Sequence, residues 1–370
     1  EDVVEYHLHG GRAVIDGLLD VLAAQPGYRM AEPGEFTRRA FENGKMDLTE
    51  AEAVADLIHA ETQAQKAQAL AQMGGALYTL YEGWSDRLKT LLAHVEADIE
   101  FPDEDVPDQI SPALLAQIKD LIAEIVAHLN DNRRGERLRD GIHIAVIGAP
   151  NAGKSSLVNA LAQREVAIVS DLAGTTRDVI EAHLDLGGYP VILSDTAGLR
   201  PDLIGDDDAH GRIESEGMRR ALARAQEADL RVLLFDGSQN APDAETLKLA
   251  DDMAVLAVNK IDVRHVDFHL DGALDVSVKN GAGLDGLLER LVARISNLVG
   301  QSDAPALTRK RHRQALESGL DHLQRSLNAA LPELTAEDLR LAIRALGRIT
   351  GRVDVEDLLD VIFKDFCIGK

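Results

Sequence analysis

Apolar positions follow several rhythms along the chain. From Leu48 onward they return every three or four residues, the period of a helix with one buried face. Leu77, Leu80, Tyr81, Trp84, Leu88, Leu91, Val95 and Ile99 form one stripe, and Leu114, Leu115, Ile118, Leu121, Ile122, Ile125 and Leu129 resume it. Between them, Phe101 to Pro112 holds three prolines and four acids, which breaks the helix. The pattern predicts two long antiparallel helices of a bundle. From Ile142 to Leu298 the rhythm changes to short β-branched runs alternating with helical patterns: Ile142 to Ile147, Val191 to Leu193, Val232 to Phe235 and Val255 to Val258. That is the form of a mostly parallel sheet covered by helices. Helices return after Pro305. Leu316, Leu320, Leu323 and Leu327 make a stripe bounded by Pro332, while Thr335 with Asp338, and Asp354 with Asp357, predict helix starts. At the front, Glu1 to His9 alternates in part, with Val3, Tyr6 and Leu8 apolar, and predicts a strand ended by Gly10-Gly11 and followed by a helix over Val14 to Leu22.

The simplest architecture places the α/β domain as an insert in a helical domain made from both flanks; separate helical domains are the alternative. The expected divisions are residues 1–45, 46–140, 141–298 and 299–370. The chain has 370 residues, enough for more than one core. No apolar run approaches the length that spans a bilayer and no signal-peptide pattern opens the chain, so a cytoplasmic protein without a membrane partner is expected. The single cysteine, Cys367, excludes an intramolecular disulfide framework and a cysteine-based zinc site. The formal charge of -24 repels nucleic acid at long range and confines any RNA contact to a local basic patch or to a partner.

Gly148 to Ser155 reads GxxxxGKS directly after a predicted buried strand. Its glycines allow a loop whose amides face phosphate, Lys154 reaches the terminal phosphates and Ser155 binds magnesium. The phosphate-binding set is Asn151, Ala152, Gly153, Lys154, Ser155 and Ser156. Asp195-Thr196-Ala197-Gly198 follows the run Val191 to Leu193, so Asp195 can hold the magnesium shell and the Gly198 amide can meet the terminal phosphate. Asn259-Lys260-Ile261-Asp262 follows the run ending at Val258. A carboxylate at Asp262 can accept from guanine N1 and its exocyclic amine, a donor pair that adenine lacks. Ser277, Val278 and Lys279 would close that pocket. These features select GTP. Gly174 to Asp178 lies where a nucleotide-sensitive switch belongs, and one of its threonines, Thr176 in preference to Thr175, should complete the magnesium shell.

With these motifs in place, the chain resembles the MnmE or TrmE family of tRNA uridine-modifying GTPases. The resemblance covers essentially the whole chain: HGG from His9, EPGEFTRRAFENGKMDLTEAEAVADLI from Glu32, GAPNAGKSSLVNAL from Gly148, GTTRD from Gly174, DTAGLR from Asp195 and FCIGK ending at Lys370. It implies an α/β P-loop GTPase domain inserted in an all-helical domain, preceded by a partial α+β folate-binding dimerisation domain whose front lies outside this chain. It also implies a homodimer, a flavoprotein partner called MnmG or GidA, tRNA as substrate, and a reduced folate (methylene- or formyl-tetrahydrofolate) as the one-carbon source for an aminomethyl-type group at C5 of the wobble uridine.

Leu199 follows Gly198, where many small GTPases carry a water-orienting glutamine, and an isobutyl group cannot hold a nucleophile. The resemblance supplies a potassium ion instead, contacted by Asn151 with carbonyls around Thr175; Asn151 shaping the loop is the alternative. Glu214 matches the family's catalytic glutamate, although alone it reads more readily as a solvated helix-start acid, and the acidic stretch Pro201 to Gly211 lengthens the preceding loop. Cys367 is either a small buried residue or a substrate-facing thiol that takes part in modification. His7, His9 and Arg12 read as a metal or acid-base cluster, weak because a third clear ligand is missing, and the resemblance favours one wall of the folate pocket instead. Arg38 and Arg39 suit a folate carboxylate, a tRNA phosphate or a surface ion pair. A ribosome-assembly GTPase is the competing enzyme class, and a third class is a dimerising GTP-operated scaffold whose nucleotide turnover moves the helical arms while another subunit does the redox chemistry.

Overall fold

The computed structural model describes residues 2–100, 112–164, 181–195, 227–300 and 305–353, together with residues 359, 360, 362, 363 and 366. Helices α1 (Arg12–Ala23) and α2 (Glu35–Glu42) come first. Next are α3 (Leu48–Ile58), α4 (Gln63–Met73), α5 (Ala76–Glu100), α6 (Pro112–Leu129) and α7 (Arg134–Asp140). The α/β unit follows with β1 (Ile142–Ile147), α8 (Lys154–Arg164), β2 (Glu181–Leu186), β3 (Tyr189–Asp195), β4 (Leu230–Asp236), α9 (Ala244–Leu247), β5 (Ala254–Asn259), β6 (Leu274–Asp275) and α10 (Leu284–Val299). Helices α11 (Lys310–Ser326) and α12 (Pro332–Thr350) complete the order. Among the described residues no helix is long and apolar enough to cross a membrane.

The strands form one six-stranded sheet in the order β2-β3-β1-β4-β5-β6, parallel except for the edge strand β2. Alternate residues of β1 serve opposite faces, as a pleated strand requires. Ile142, Ile144 and Val146 join α8 and α10 in one core, and Ala145 and Ile147 join Phe235 and Phe268 in another. Burial on both faces explains why the central strands are continuous apolar runs.

The sequence stripes meet in one helical core: Leu77, Trp84, Leu88 and Val95 of α5 and Ile118, Leu121 and Ile125 of α6 share it with Leu316 and Leu323 of α11 and Leu339 and Leu346 of α12. Segments on both sides of the sheet therefore bury their apolar faces together. Helices α5 and α6 run antiparallel: Tyr81 Oη lies 3.2 Å from His128 Nε2, and Trp84 Nε1 and Arg87 both donate to Glu124.

Three expectations are corrected. Residues 2–11 form no strand, and Val3, Tyr6 and Leu8 are exposed. An isolated strand leaves its amides without partners, and no described segment pairs with this one. Residues 2–45 accordingly contribute helices and no strand to the expected α+β domain. Thr335 does not cap a helix: α12 starts at Pro332, whose fixed φ suits a first helical position, and Thr335 lies buried inside it. Asp354 and Asp357 fall outside the described residues.

Caps fix the starts of α3 and α4. Asp47 accepts from the Thr49 amide while Glu50 reaches back to the Asp47 amide, and Thr62 and Gln65 make the same reciprocal pair. Polar groups buried next to these helices give the stability a pH dependence. His312 is fully buried against Glu52, 2.9 Å away. Burial, and then the neighbouring Arg311, push its pKa down to about 4. Burial likewise pushes His128 down to about 4. An unfolded imidazole titrates near 6.5. Between about pH 6.5 and 4 the unfolded chain therefore takes up protons that the folded chain refuses, and stability falls as pH falls through that window. Asp47, raised to about 6 chiefly by burial, offsets part of this because its folded form takes up its proton first. Urea midpoints should decrease across the window, and less steeply in His128→Gln; a flat profile in the parent would contradict this.

Candidate functional site

The parallel register brings the predicted motifs to one edge of the sheet. Val146 lies beside Asp195, Ile147 beside Leu233, and Asp236 beside Asn259. Strand β1 sits between β3 and β4, so the loop after it opens at the point where the strand order switches, the place where α/β sheets bind ligands.

That loop is tightly built. Asn151 has φ 64° and Gly153 φ 100°, and the Ala152 amide donates to Ala149 O at 3.2 Å. A side chain at Gly148 would strike the Leu234 carbonyl, and one at Gly153 would strike the Asn259 amide. Lys154 opens α8 and is almost wholly buried. Its Nζ donates to Gly148 O at 2.9 Å and Ala149 O at 3.0 Å, which holds the ammonium over the loop. Ser155 and Ser156 are exposed in the first turn of α8. The start of a helix facing the loop and a positive charge held above it suit a polyphosphate. Ser155 would be a ligand for a magnesium ion bound with that phosphate, since a hydroxyl oxygen is a fitting donor for a hard cation.

Asn259 ties this loop to the second half of the site. Only 3% exposed, it donates from Nδ2 to Ala152 O at 2.8 Å and accepts at Oδ1 from the Val278 amide at 3.1 Å. Lys260 has φ 64° and donates to Asp236 Oδ2 at 2.7 Å. Burial would raise the Asp236 pKa, but Lys260 and the Ser238 amide and hydroxyl outweigh it and hold the carboxyl below its ordinary value. The Ser277 hydroxyl, fully buried, donates to Asp262 Oδ1 at 2.7 Å, so an exposed carboxylate is oriented by a rigid neighbour. The Ile261 amide donates to Val276 O and the Val276 amide to Val258 O, which fixes the two base-side segments together. Lys279 is exposed beside Val278.

The structure thus brings Asn151 to Ser156 together with Asn259, Lys260, Asp262, Ser277, Val278 and Lys279. Asp195 ends β3 at the same edge. Thr175, Thr176, Gly198, Glu214 and Cys367 lie outside the described residues. Arg12 and Arg38 stand apart from this set, in α1 and α2. Arg12 is exposed, 3.8 Å from Asp16. Arg38 donates to Glu42 at 3.0 Å and to Asp360 at 2.9 Å, which favours the ion-pair reading of that residue. Asp236 was missed in the sequence; its signal is an acid closing the run Val232 to Phe235, as Asp195 closes the run before it.

Known proteins resemble this chain along its whole length. Residues 1–45 match the family described as GTP-binding protein TrmE N-terminus, and residues 48–367 match the MnmE helical domain. The tRNA modification GTPase MnmE of Parvibaculum lavamentivorans is 57% identical over 377 residues, covering all of this chain and 83% of that protein. Its namesake in Rhodospirillum rubrum is 54% identical, with 100% and 81% covered, and that of Rickettsia bellii 45% identical, with 100% and 83% covered. At such identity over its whole length, and with a helical-domain match spanning the α/β unit, this chain belongs to the MnmE family.

Proposed function

We propose that this chain hydrolyses GTP to drive modification of the wobble uridine in tRNA. The observation that carries the reading is the double tie of Asn259, which sets the phosphate loop and the Asp262–Ser277 pair into one pocket with a fixed spacing. Phosphate is held by loop amides and by Lys154, and guanine is chosen by the Asp262 carboxylate. Ser155 and Thr176 would hold magnesium, with Asp195 behind its water shell; the ion supplies charge neutralisation at the terminal phosphates. Asn151, exposed on the loop with a left-handed backbone, would hold potassium with Thr175. Glu214 orients the attacking water and takes up the role that Leu199 cannot fill.

The modification itself rests on the family. The α/β unit is an insertion in the shared helical core, the front segment contributes to a folate-binding homodimer, and a flavoprotein of the MnmG type supplies the redox step. Arg12, solvent-facing on α1, is better placed for a folate carboxylate than Arg38, which its two acids already engage. Cys367 would present a thiol to the modification centre.

Two variants test the hydrolytic half. Asn151→Ala is expected to keep GTP binding and lose stimulation by potassium over sodium; equal stimulation would remove the residue from the ion site. Glu214→Ala is expected to slow single-turnover hydrolysis by about 100-fold, the usual scale for a lost general-base contribution, with affinity unchanged. An unchanged rate would count against it.

A further inference from the structure

The hairpin of α3 and α4 holds both points where the chain enters and leaves the α/β unit. One oxygen of Asp56, Oδ1, accepts from Arg139 Nε at 2.9 Å and from an Arg309 terminal nitrogen at 2.6 Å. Arg139 lies three residues before β1 and Arg309 immediately before α11. One turn away, Glu52 is fully buried and clasped by Arg311 at 2.6 Å on each oxygen, with Arg309 and His312 beside it. Burial pushes the Glu52 pKa up, but Arg311, His312 and Arg309 together hold it below the carboxylate range.

Helix α4 adds a row of glutamines on one face, at spacings of three and four. Gln65 donates to Arg139 O at 3.1 Å and Gln68 to Gly135 O at 3.0 Å. Gln72 donates to Thr49 O at 2.9 Å and accepts from the Thr308 hydroxyl at 3.0 Å. At its start the Ala64 amide donates to Gly188 O, in the turn between β2 and β3, and β3 runs from there to Asp195. A different face of α3, formed by Leu48, Ala51 and Ala55, packs with Leu359, Phe363 and Phe366 of the carboxyl-terminal segment.

The buried Glu52–Arg311 pair cannot slide, because parting it strands an unpaired charge, and the half-buried Asp56 pairs beside it have little water to replace a lost partner. A displacement of the β2–β3 turn reaches α4 through the Ala64 amide, and α3, held with α4 to both junctions, moves with it. We propose that Asp56 and Gln65 are positioning residues that link the state of the GTP site to the carboxyl-terminal segment through the α3–α4 hairpin. This rests on the function proposed above.

The test uses full-length protein with its flavoprotein partner and compares the parent with Asp56→Asn and with the double variant Gln65→Ala/Gln68→Ala, which removes no charge and serves if the first fails to fold. Three quantities are read: GTP hydrolysis in potassium, modified uridine formed per GTP hydrolysed, and hydrogen exchange of residues 48–58 and 181–195 with a GTP analogue against GDP. Hydrolysis should stay within about twofold, while modification per GTP falls about tenfold, the scale of ordinary coupling between sites. The amides of α3 should respond to nucleotide in the parent and lose that response in the variants, with 181–195 still responding. A merely structural role would lower hydrolysis and modification together. Unchanged modification per GTP, or an α3 response equal in parent and variants, would overturn the inference. If the parent binds GTP yet modifies no tRNA, the functional reading fails instead, and the exchange of α3 alone decides the inference.

Discussion

Replacing Asp262 by asparagine is expected to turn this protein from a guanine to a xanthine nucleotide binder. The Ser277 hydroxyl donates to Oδ1, and an asparagine oxygen can accept the same bond, so the side chain keeps its orientation. What changes is the face presented to the base. Guanine offers two donors, N1–H and the exocyclic amine, and the new amide group answers the second with a donor of its own. Each mismatch in such a pocket costs roughly 1–3 kcal/mol, so GTP affinity should fall by about 100-fold. Xanthine carries an acceptor at that position and should gain. Competition between GTP and XTP for a fluorescent guanine nucleotide measures this directly. A variant that still prefers GTP would show that the base is read elsewhere.

The second large effect is expected at Gly153. Its φ of 100° is a conformation that residues with a Cβ rarely adopt, and the added carbon of Gly153→Ala would meet the Asn259 side-chain amide. That amide holds Ala152 O and, through its oxygen, the Val278 amide, so moving it loosens the phosphate loop and the base segment at once. Backbone strain of about 1–3 kcal/mol adds to the lost contacts, and nucleotide affinity should fall by about 100-fold or more. The helical core, built from α5, α6, α11 and α12, does not touch this loop, so its thermal transition should stay close to the parent's. Parent-like binding would mean that the loop reshapes freely around nucleotide.

The two examples show what the sequence could and could not disclose. The phosphate loop and the Asn259 to Asp262 motif were legible because each needs particular residue types at fixed spacing after a buried strand. The central strands were legible because burial on both faces leaves them uniformly apolar. Edge strand β2, Glu181–Leu186, was not, since half its residues face away from the core and their polarity hides the alternation. Thr335 read as a cap by residue type, but the start of α12 is set by Pro332 three positions earlier. The partial alternation of Val3, Tyr6 and Leu8 suggested a strand, although a strand exists only where another chain segment satisfies its amides. Asp56 and the glutamines of α4 were invisible for a different reason. Their partners lie far along the chain, Arg139 being 74 residues beyond Gln65, and nothing local in a helix marks a side chain that grips a distant carbonyl.

The proposed function rests on one physical statement: a site that would hold triphosphate with backbone amides and Lys154, and would choose guanine with Asp262. The most direct measurement is equilibrium binding of GTP and ATP to the purified protein with magnesium, followed by hydrolysis in potassium. The account predicts GTP bound at least about 100-fold more tightly than ATP, as two matched donor contacts imply, and turned over. Equal binding of the two nucleotides, or no binding of GTP to the folded protein, would contradict it.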